Sequence, residues 1–305
     1  MLNLERLRIL DAVARHGSVT GAADGLHITT SAISQQLAKL EREAGQRLLA
    51  KHGRGIRLTD AGLLLAEHAA GILAQVERAR ADLEAQRGEV VGELRIGAFP
   101  TAVRGLLPKA VTTLRAAHPE LRVRVQESEP EGCVRKLVRG DLDLGIFVDW
   151  SNRPFALPAG LLKAPLMSDT VDLAVPADHP LADRAEVGLA DFAEDEWICW
   201  REGEFCYDWL VFTMRAMDIE PRIVHHAEEH ETQLALVAAG LGVAVLPRLG
   251  RGPAPAGVRL LPVRRSIQRH LYATWRADLD SRPAIRAALT ALTAAASTAA
   301  GGRTA

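Results

Sequence analysis

The stretch Ala22-Ala23-Asp24-Gly25-Leu26-His27-Ile28-Thr29-Thr30-Ser31-Ala32-Ile33-Ser34-Gln35-Gln36-Leu37-Ala38-Lys39-Leu40-Glu41 decides how the head of the chain folds. Ile33, Leu37, Leu40 and Ala44 recur at helical spacing and so share one face of a helix. Thr29 or Thr30 supplies the N-cap hydroxyl, and Gly45 ends the helix. The opposite face carries Ser31, Ser34, Gln35 and Lys39, small or amide side chains rather than the Glu/Lys pairs of a merely solvated surface. Upstream, Ser18 is placed to cap a second helix with Val19, Ala22, Ala23 and Leu26 on its apolar side. Leu4, Leu7, Leu10 and Ala14 mark a first helix, stopped at His16-Gly17. Downstream, Lys51-His52-Gly53-Arg54-Gly55-Ile56-Arg57-Leu58 is a Gly-punctuated basic hairpin. Three short helices followed by such a hairpin describe a winged helix-turn-helix over residues 1–58, a fold that sets one helix in the major groove of DNA.

The charge pattern agrees. The whole chain of 305 residues has 37 Lys+Arg against 38 Asp+Glu, a formal net charge of -1, which excludes a uniformly basic protein. The first 58 residues nevertheless carry nine basic against five acidic side chains. A basic head on a slightly acidic body points to an anionic partner at the N-terminus. At 48% hydrophobic and 25% charged, the composition is that of a soluble globular chain, long enough for two domains.

Residues 59–89 read as one long linker helix. Leu65, Ala69, Ile72, Val76, Ala79 and Leu83 alternate by four and three, the repeat of a coiled-coil seam, which packs either on a second copy or on its own domain. Beyond Gly88 strands and helices alternate. Strands are expected at 93–97, 121–125 and 142–148, with helices at 105–117 and 133–139 between them. A second round begins with a strand at 171–175. It continues through a strand at 197–200, a helix at 208–217, a strand at 222–226, a helix at 231–239 and a strand at 243–246. This rhythm indicates two α/β lobes, and small ligands favour the cleft between such lobes.

The pattern Ala23-x-x-Leu26-x-x-Thr29-x-Ser31-Ala32-Ile33-Ser34-x-x-Leu37-x-x-Leu40-Glu41 resembles the helix-turn-helix signature of LysR-type transcriptional regulators. The match continues through Gly45, Leu48 and Leu58-Thr59-x-Ala61-Gly62. Later, Gly97 with Leu107-Pro108, the run Gly140 to Ile146, and Ala239-Gly240-Leu241-Gly242-Val243-Ala244-Val245-Leu246-Pro247 look like that family's effector-domain landmarks. Leu49 and Lys51 depart from the family's usual Phe and Arg. The resemblance implies an α/β chain with an N-terminal winged helix-turn-helix, a linker helix and a two-lobed, periplasmic-binding-protein-like (type 2) effector domain. That domain is expected over 90–290, with lobe I at about 90–163 and 268–290 and lobe II at about 164–267. Residues 291–305, Ala-rich, are expected to be a flexible tail.

The resemblance also implies roles. Thr30, Ser31, Ser34 and Gln35 would face base edges, Gln being suited to adenine. Lys39 and Arg54 would hold phosphates, Arg54 from the wing tip. Effector contacts are expected from Thr101, Ser128, Trp200 and His226; Thr101 either binds an anion or only caps its helix. Implied partners are double-stranded DNA with an inverted-repeat operator, a small-molecule effector, further copies of the chain as homodimer or tetramer, and RNA polymerase.

Other functions find less support. No Gly-rich phosphate loop, nucleophile elbow or acid/base pair is present, so neither an enzyme nor a cofactor is expected. His225-His226-x-x-x-His230 has metal-like spacing, but a strand-to-helix junction interrupts it. Cys133, Cys199 and Cys206 are too few and too odd in number for a disulfide framework. Peroxide-sensing members of the family place a reactive cysteine near Cys206, so Cys199 and Cys206 are either redox partners or ordinary buried residues. The charged start and the absence of a long apolar run lead to the expectation of a cytoplasmic protein without a membrane anchor.

Overall fold

The computed structural model describes residues 1–301 except 27, 53–54 and 265–266. Contacts separate the chain into two units, Met1–Gln86 and Arg87–Ala305.

The first unit begins with α1 (Leu4–His16), α2 (Val19–Leu26) and α3 (Thr30–Ala44). Gly17 adopts a left-handed φ of 67° that ends α1, and the Ser18 hydroxyl accepts the Gly21 N–H at 3.0 Å to start α2. Thr29, not Thr30, caps α3: its Oγ1 accepts the Ala32 N–H at 3.2 Å. Leu7, Leu10, Ala22, Ile33, Leu37 and Leu40 meet in one core. The strands β1 (Leu49–His52) and β2 (Gly55–Leu58) pair antiparallel as the expected wing. Glu41 anchors the wing's start, its Oε1 accepting the N–H groups of Leu48 at 2.8 Å and Leu49 at 3.1 Å.

Helix α4 (Asp60–Arg87) follows at once, with the Thr59 hydroxyl accepting the Gly62 N–H at 3.0 Å. A Cβ at position 62 would stand 2.2 Å from the Leu48 carbonyl oxygen, so only glycine lets α4 lie this close to the wing. The expected coiled-coil seam needs correcting in its first turns. Ala66 and Ala69 are buried in the core of this unit and Leu65 packs against it, so these positions serve their own domain. The side chains left without cover run instead along Leu64 (59% exposed), Ile72, Ala79 and Leu83 (61% exposed). Val76 is half-buried.

The second unit is built on β3 (Gly92–Ala98), β4 (Leu121–Glu127), β5 (Leu144–Trp150), β6 (Leu161–Pro176), β7 (Glu196–Cys199), β8 (Arg222–His226), β9 (Ala244–Pro247), β10 (Val258–Pro262) and β11 (Gln268–Arg276). Its helices are α5 (Pro100–Gly105), α6 (Leu107–Ala117), α7 (Pro130–Arg139), α8 (Phe205–Arg215), α9 (His230–Ala238) and α10 (Pro283–Gly301). The main sheet runs β10-β6-β11-β5-β3-β4, with β9 also paired to β6. Strands β3, β4 and β5 are parallel, whereas β11 lies antiparallel between β5 and β6. Strands β7 and β8 form a separate parallel pair.

Strand β6 replaces the short strand expected at 171–175. Its first part, to Thr170, pairs with β11, and its second, from Val171, pairs with β9 and β10. The passage from one lobe to the other therefore falls near residue 170 rather than 163/164. The helix expected at 105–117 is α6, starting at Leu107; the short α5 before it, Pro100–Gly105, was not expected and is separated from it at Leu106, Pro108 having no N–H with which to continue α5. The expected flexible tail is also corrected: residues up to Gly301 are helical in α10. Ala288, Ala291, Leu292, Ala295 and Ala296 are buried there, and α10 packs on α6 and β6. Alanine is the best helix former and small enough for close packing, which a low-complexity reading overlooks.

Candidate functional site: a nucleic-acid face and an inter-lobe cavity

On α3 the burial pattern divides the helix cleanly. Ile33, Leu37 and Leu40 point into the core, while Thr30, Ser31, Ser34, Gln35 and Lys39 are exposed. The Ser34 hydroxyl donates to the Thr30 carbonyl at 2.9 Å, and the Ser31 and Thr29 hydroxyls are 3.0 Å apart. These bonds fix the short side chains close to the helix axis and leave oxygen lone pairs outward. Gln35 has no hydrogen-bond partner among the described residues, so its amide keeps both a donor and an acceptor for a base edge. Arg54 lies outside the described residues.

The cavity lies in the second unit where both lobes meet. Thr101 stands in the first turn of α5 and is 2% exposed. Its hydroxyl accepts a hydrogen bond from Arg269 Nη2 at 2.8 Å. Arg269 on β11 faces Asp169 on β6, its register partner, at 2.9 Å, and the two side chains are 4% and 0% exposed. Asp169 also accepts the Leu249 N–H at 3.1 Å. A polar chain thus runs from Thr101 in one lobe through the crossing strand to Leu249 in the other. Nearby, Trp150 of β5 stacks on Trp209 of α8 at 3.8 Å, and Arg153 pairs with Asp208 at 2.8 Å.

His230 opens α9 and is 7% exposed. Its Nδ1 lies 3.4 Å from Arg104 Nη2, and because a guanidinium only donates, Nδ1 is the acceptor and Nε2 carries the proton. Nε2 is buried and has no hydrogen-bond partner. Burial, then the charges of Arg269, Arg104 and Arg251, pushes the imidazole pKa down to about 3, so it is neutral at physiological pH. Trp200 meets the same ring edge to face at 5.5 Å. Together Thr101, Trp200, His230 and Arg269, with Phe99 and Glu129, line a cavity of about 30 Å³, room for two or three waters.

Two of the four expected effector residues, Thr101 and Trp200, stand in this wall. Ser128 and His226 do not. The Ser128 side chain turns toward its own chain, with its hydroxyl 3.5 Å from the Glu129 carbonyl. His226, at the end of β8, is exposed, and its Nδ1 lies 2.9 Å from the Trp200 carbonyl oxygen. His230, four residues further on at the start of α9, stands in this wall instead. No cluster of three or more metal-type side chains exists among the described residues. Cys206 lines the cavity, while Cys199 and Cys133 are buried. Burial pushes the Cys199 thiol up to about 12 and the Cys133 thiol up to about 11. Burial, then Glu129, raises the Cys206 thiol as well.

Comparison with known proteins agrees with both halves. Residues 4–63 match the family of bacterial regulatory helix-turn-helix proteins, lysR family, and residues 87–297 match the LysR substrate binding domain. The HTH-type transcriptional regulator YnfL of Escherichia coli is 30% identical over 290 residues, covering 93% of this chain and 96% of its own. The hydrogen peroxide-inducible genes activator of Dickeya chrysanthemi is 30% identical over 249 residues, 81% of this chain and 80% of its own. In fold, a full-length OxyR variant from Pseudomonas aeruginosa superposes with a TM-score of 0.66 at 24% identity, over 96% of this chain and 98% of that one. The chain belongs to the LysR family of DNA-binding transcriptional regulators, with a helix-turn-helix head and a substrate-binding domain.

Proposed function

We propose that α3 reads the operator through Thr30, Ser31, Ser34 and Gln35 while Lys39 and Arg54 hold phosphates, and that a small effector in the inter-lobe cavity sets the regulatory state. The observation that carries this reading is the division of α3 into a buried apolar face and an exposed face of short hydroxyls and one free amide. Such a face sits deep in a major groove and discriminates bases by hydrogen bonds worth roughly 1–3 kcal/mol per bidentate pair. The chain acts as a homodimer or tetramer through the uncovered stripe of α4, so its operator is an inverted repeat. Effector binding biases the lobes and thereby the placement of the DNA-binding heads and polymerase access. The protein works in the cytoplasm and catalyses no reaction.

The test is binding to the DNA upstream of its own gene against scrambled DNA, titrated at low and moderate salt. Selective binding that is lost in Ser34→Ala/Gln35→Ala supports the reading; equal, purely salt-sensitive binding to both DNAs shows that this promoter is not the operator.

One observation favours a second reading, peroxide sensing: Cys206 lines the cavity, and one relative is named for peroxide-inducible genes. Its thiol is held protonated by burial and by Glu129, which opposes nucleophilic attack. A cysteine-free variant that keeps its operator response supports the effector reading, whereas loss of a peroxide response in that variant alone supports the redox one.

A further inference from the structure

The cavity has two ends of opposite character. Its floor offers hydrogen-bond donors in a positive field. His230 Nε2–H is buried and unpartnered, and the Thr101 oxygen already accepts from Arg269, which leaves its proton for another acceptor. Arg269, Arg104 and Arg251 surround that imidazole; Arg269 is paired with Asp169 and Arg251 with Asp172, while Arg104 bonds the Gly250 carbonyl and His230 Nδ1. The mouth is acidic. Glu129 and Glu131 line it from one lobe, Glu204 and Glu228 from the other. Arg201 pairs with both Glu204 and Glu228, but Glu129 and Glu131 have no ion-pair partner among the described residues.

Helix capping does not account for these acids. Glu129 and Glu204 occupy the N-cap positions of α7 and α8, yet neither side chain makes a cap hydrogen bond. A lone anion would enter past four carboxylates, and no cluster of three or more metal-type side chains stands among the described residues. What suits both ends is a molecule with an acceptor head and a cationic substituent a few ångströms away.

We propose that the cavity takes a small amino-acid zwitterion, its carboxylate on Thr101 and His230 and its ammonium among Glu129, Glu131, Glu204 and Glu228. This rests on the assignment of the cavity as the effector site. The cavity is small, and a carboxylate seated on its floor leaves the ammonium at the open end. Glycine, alanine and serine are the smallest ligands with both groups at that spacing.

A proton link follows. Glu129, though solvent-accessible, is raised to about 7 by loss of hydration at the cavity wall and then by Glu204, Glu131, Glu127 and Glu228. The thiols of Cys133 and Cys206 also face it, both protonated. An ammonium needs ionised Glu129, and a group of that pKa is about one-tenth ionised at pH 6 and nine-tenths at pH 8. Zwitterion affinity therefore rises up to about tenfold from pH 6 to pH 8, with proton release near pH 7. A simple carboxylate shows the reverse trend.

The experiment is titration calorimetry on the full chain with glycine, L-alanine and L-serine at pH 6 and pH 8. Acetate and propionate serve as carboxylate-only probes and ethylamine as the ammonium-only probe. Binding of at least one zwitterion, tighter at pH 8 and well above all three single-charge probes, is expected. Glu129→Gln should weaken that binding and flatten its pH dependence, and His230→Phe should weaken it at both pH values. Propionate or ethylamine binding as tightly as alanine, affinity that falls with pH, or no binding by any of the three zwitterions overturns the proposal. The same probes are then added to the operator complex. A zwitterion that binds but leaves the footprint unchanged refutes the effector assignment and not the ligand class. A footprint altered by propionate and not by alanine refutes the ligand class and not the effector assignment.

Discussion

Replacing Arg269 with methionine tests the centre of the cavity floor. Arg269 and Asp169 lie 2.9 Å apart on adjoining strands, almost wholly buried. Methionine keeps most of the side-chain volume, so the loss is electrostatic rather than a void. A charge left unpaired in the interior costs roughly 3–5 kcal/mol. Asp169 retains the Leu249 N–H at 3.1 Å, which places the expected cost at the lower end, about 3 kcal/mol. With a urea slope of about 2–3 kcal/mol/M, the unfolding midpoint falls by about 1–1.5 M. All five tryptophans, at 150, 197, 200, 209 and 275, lie in the second unit, so their fluorescence follows that unit alone. Arg269→Met/Asp169→Leu removes the stranded charge and should recover most of the loss. A single variant that costs less than about 1 kcal/mol, or a double variant no more stable than the single one, refutes a desolvated, mutually dependent pair.

Four further outcomes are expected. Gly62→Ala forces a Cβ against the Leu48 carbonyl oxygen; despite a helix-propensity gain of up to about 1 kcal/mol, it should destabilise the first unit by about 1–3 kcal/mol, seen as an earlier helical melt by circular dichroism. Leu83→Glu should lower the oligomeric state in sedimentation without altering the melt, whereas Leu65→Glu should destabilise the first unit itself, since Leu65 packs on its core. Between pH 6.5 and 3 the native state resists protonating His230, so stability falls with acidification by up to about 1.4 kcal/mol per pH unit from this group, and His230→Phe should remove that slope in urea titrations. Glu129 acts oppositely: its raised pKa stabilises the fold below pH 4.5 and that contribution fades as pH rises to about 7, so Glu129→Gln should steepen the acid-side loss.

How much of this was legible in the sequence depends on the distance over which each residue acts. The head was readable almost to the residue, because caps, apolar spacing and the Gly45 stop are local signals. Thr101 and Trp200 were found because each follows a strand of its own lobe. Arg269 was missed because the strand that carries it is inserted between β5 and β6, bringing Arg269 to Thr101 across 168 residues, and no local pattern announces such a neighbour. His226 was preferred to His230 because the strand-to-helix boundary lies between them, and that boundary decides which ring is buried. Leu65 and Ala69 fit a coiled-coil repeat, yet the same repeat serves a helix that rests on its own domain. The Ala-rich end carried no hydrophobic stripe large enough to see, although its small side chains are what permit the packing of α10.

The place of β11 in the sheet fixes an order of assembly. It is the last strand made, yet it fills the gap between β5 and β6, in the middle of the sheet. While a ribosome is still producing residues up to 267, the facing edges of β5 and β6 have no partner to close them. The segment from 171 to 262 has by then emerged with β9 and β10 to pair against the far part of β6. One lobe can therefore form while the other waits, and the waiting lobe presents two open strand edges, the kind of template on which chains associate wrongly. Closure by such distant pairing is slow. A chain cut before residue 268 would keep both edges open permanently, so damage near the C-terminus is felt in the centre of the sheet rather than at its margin.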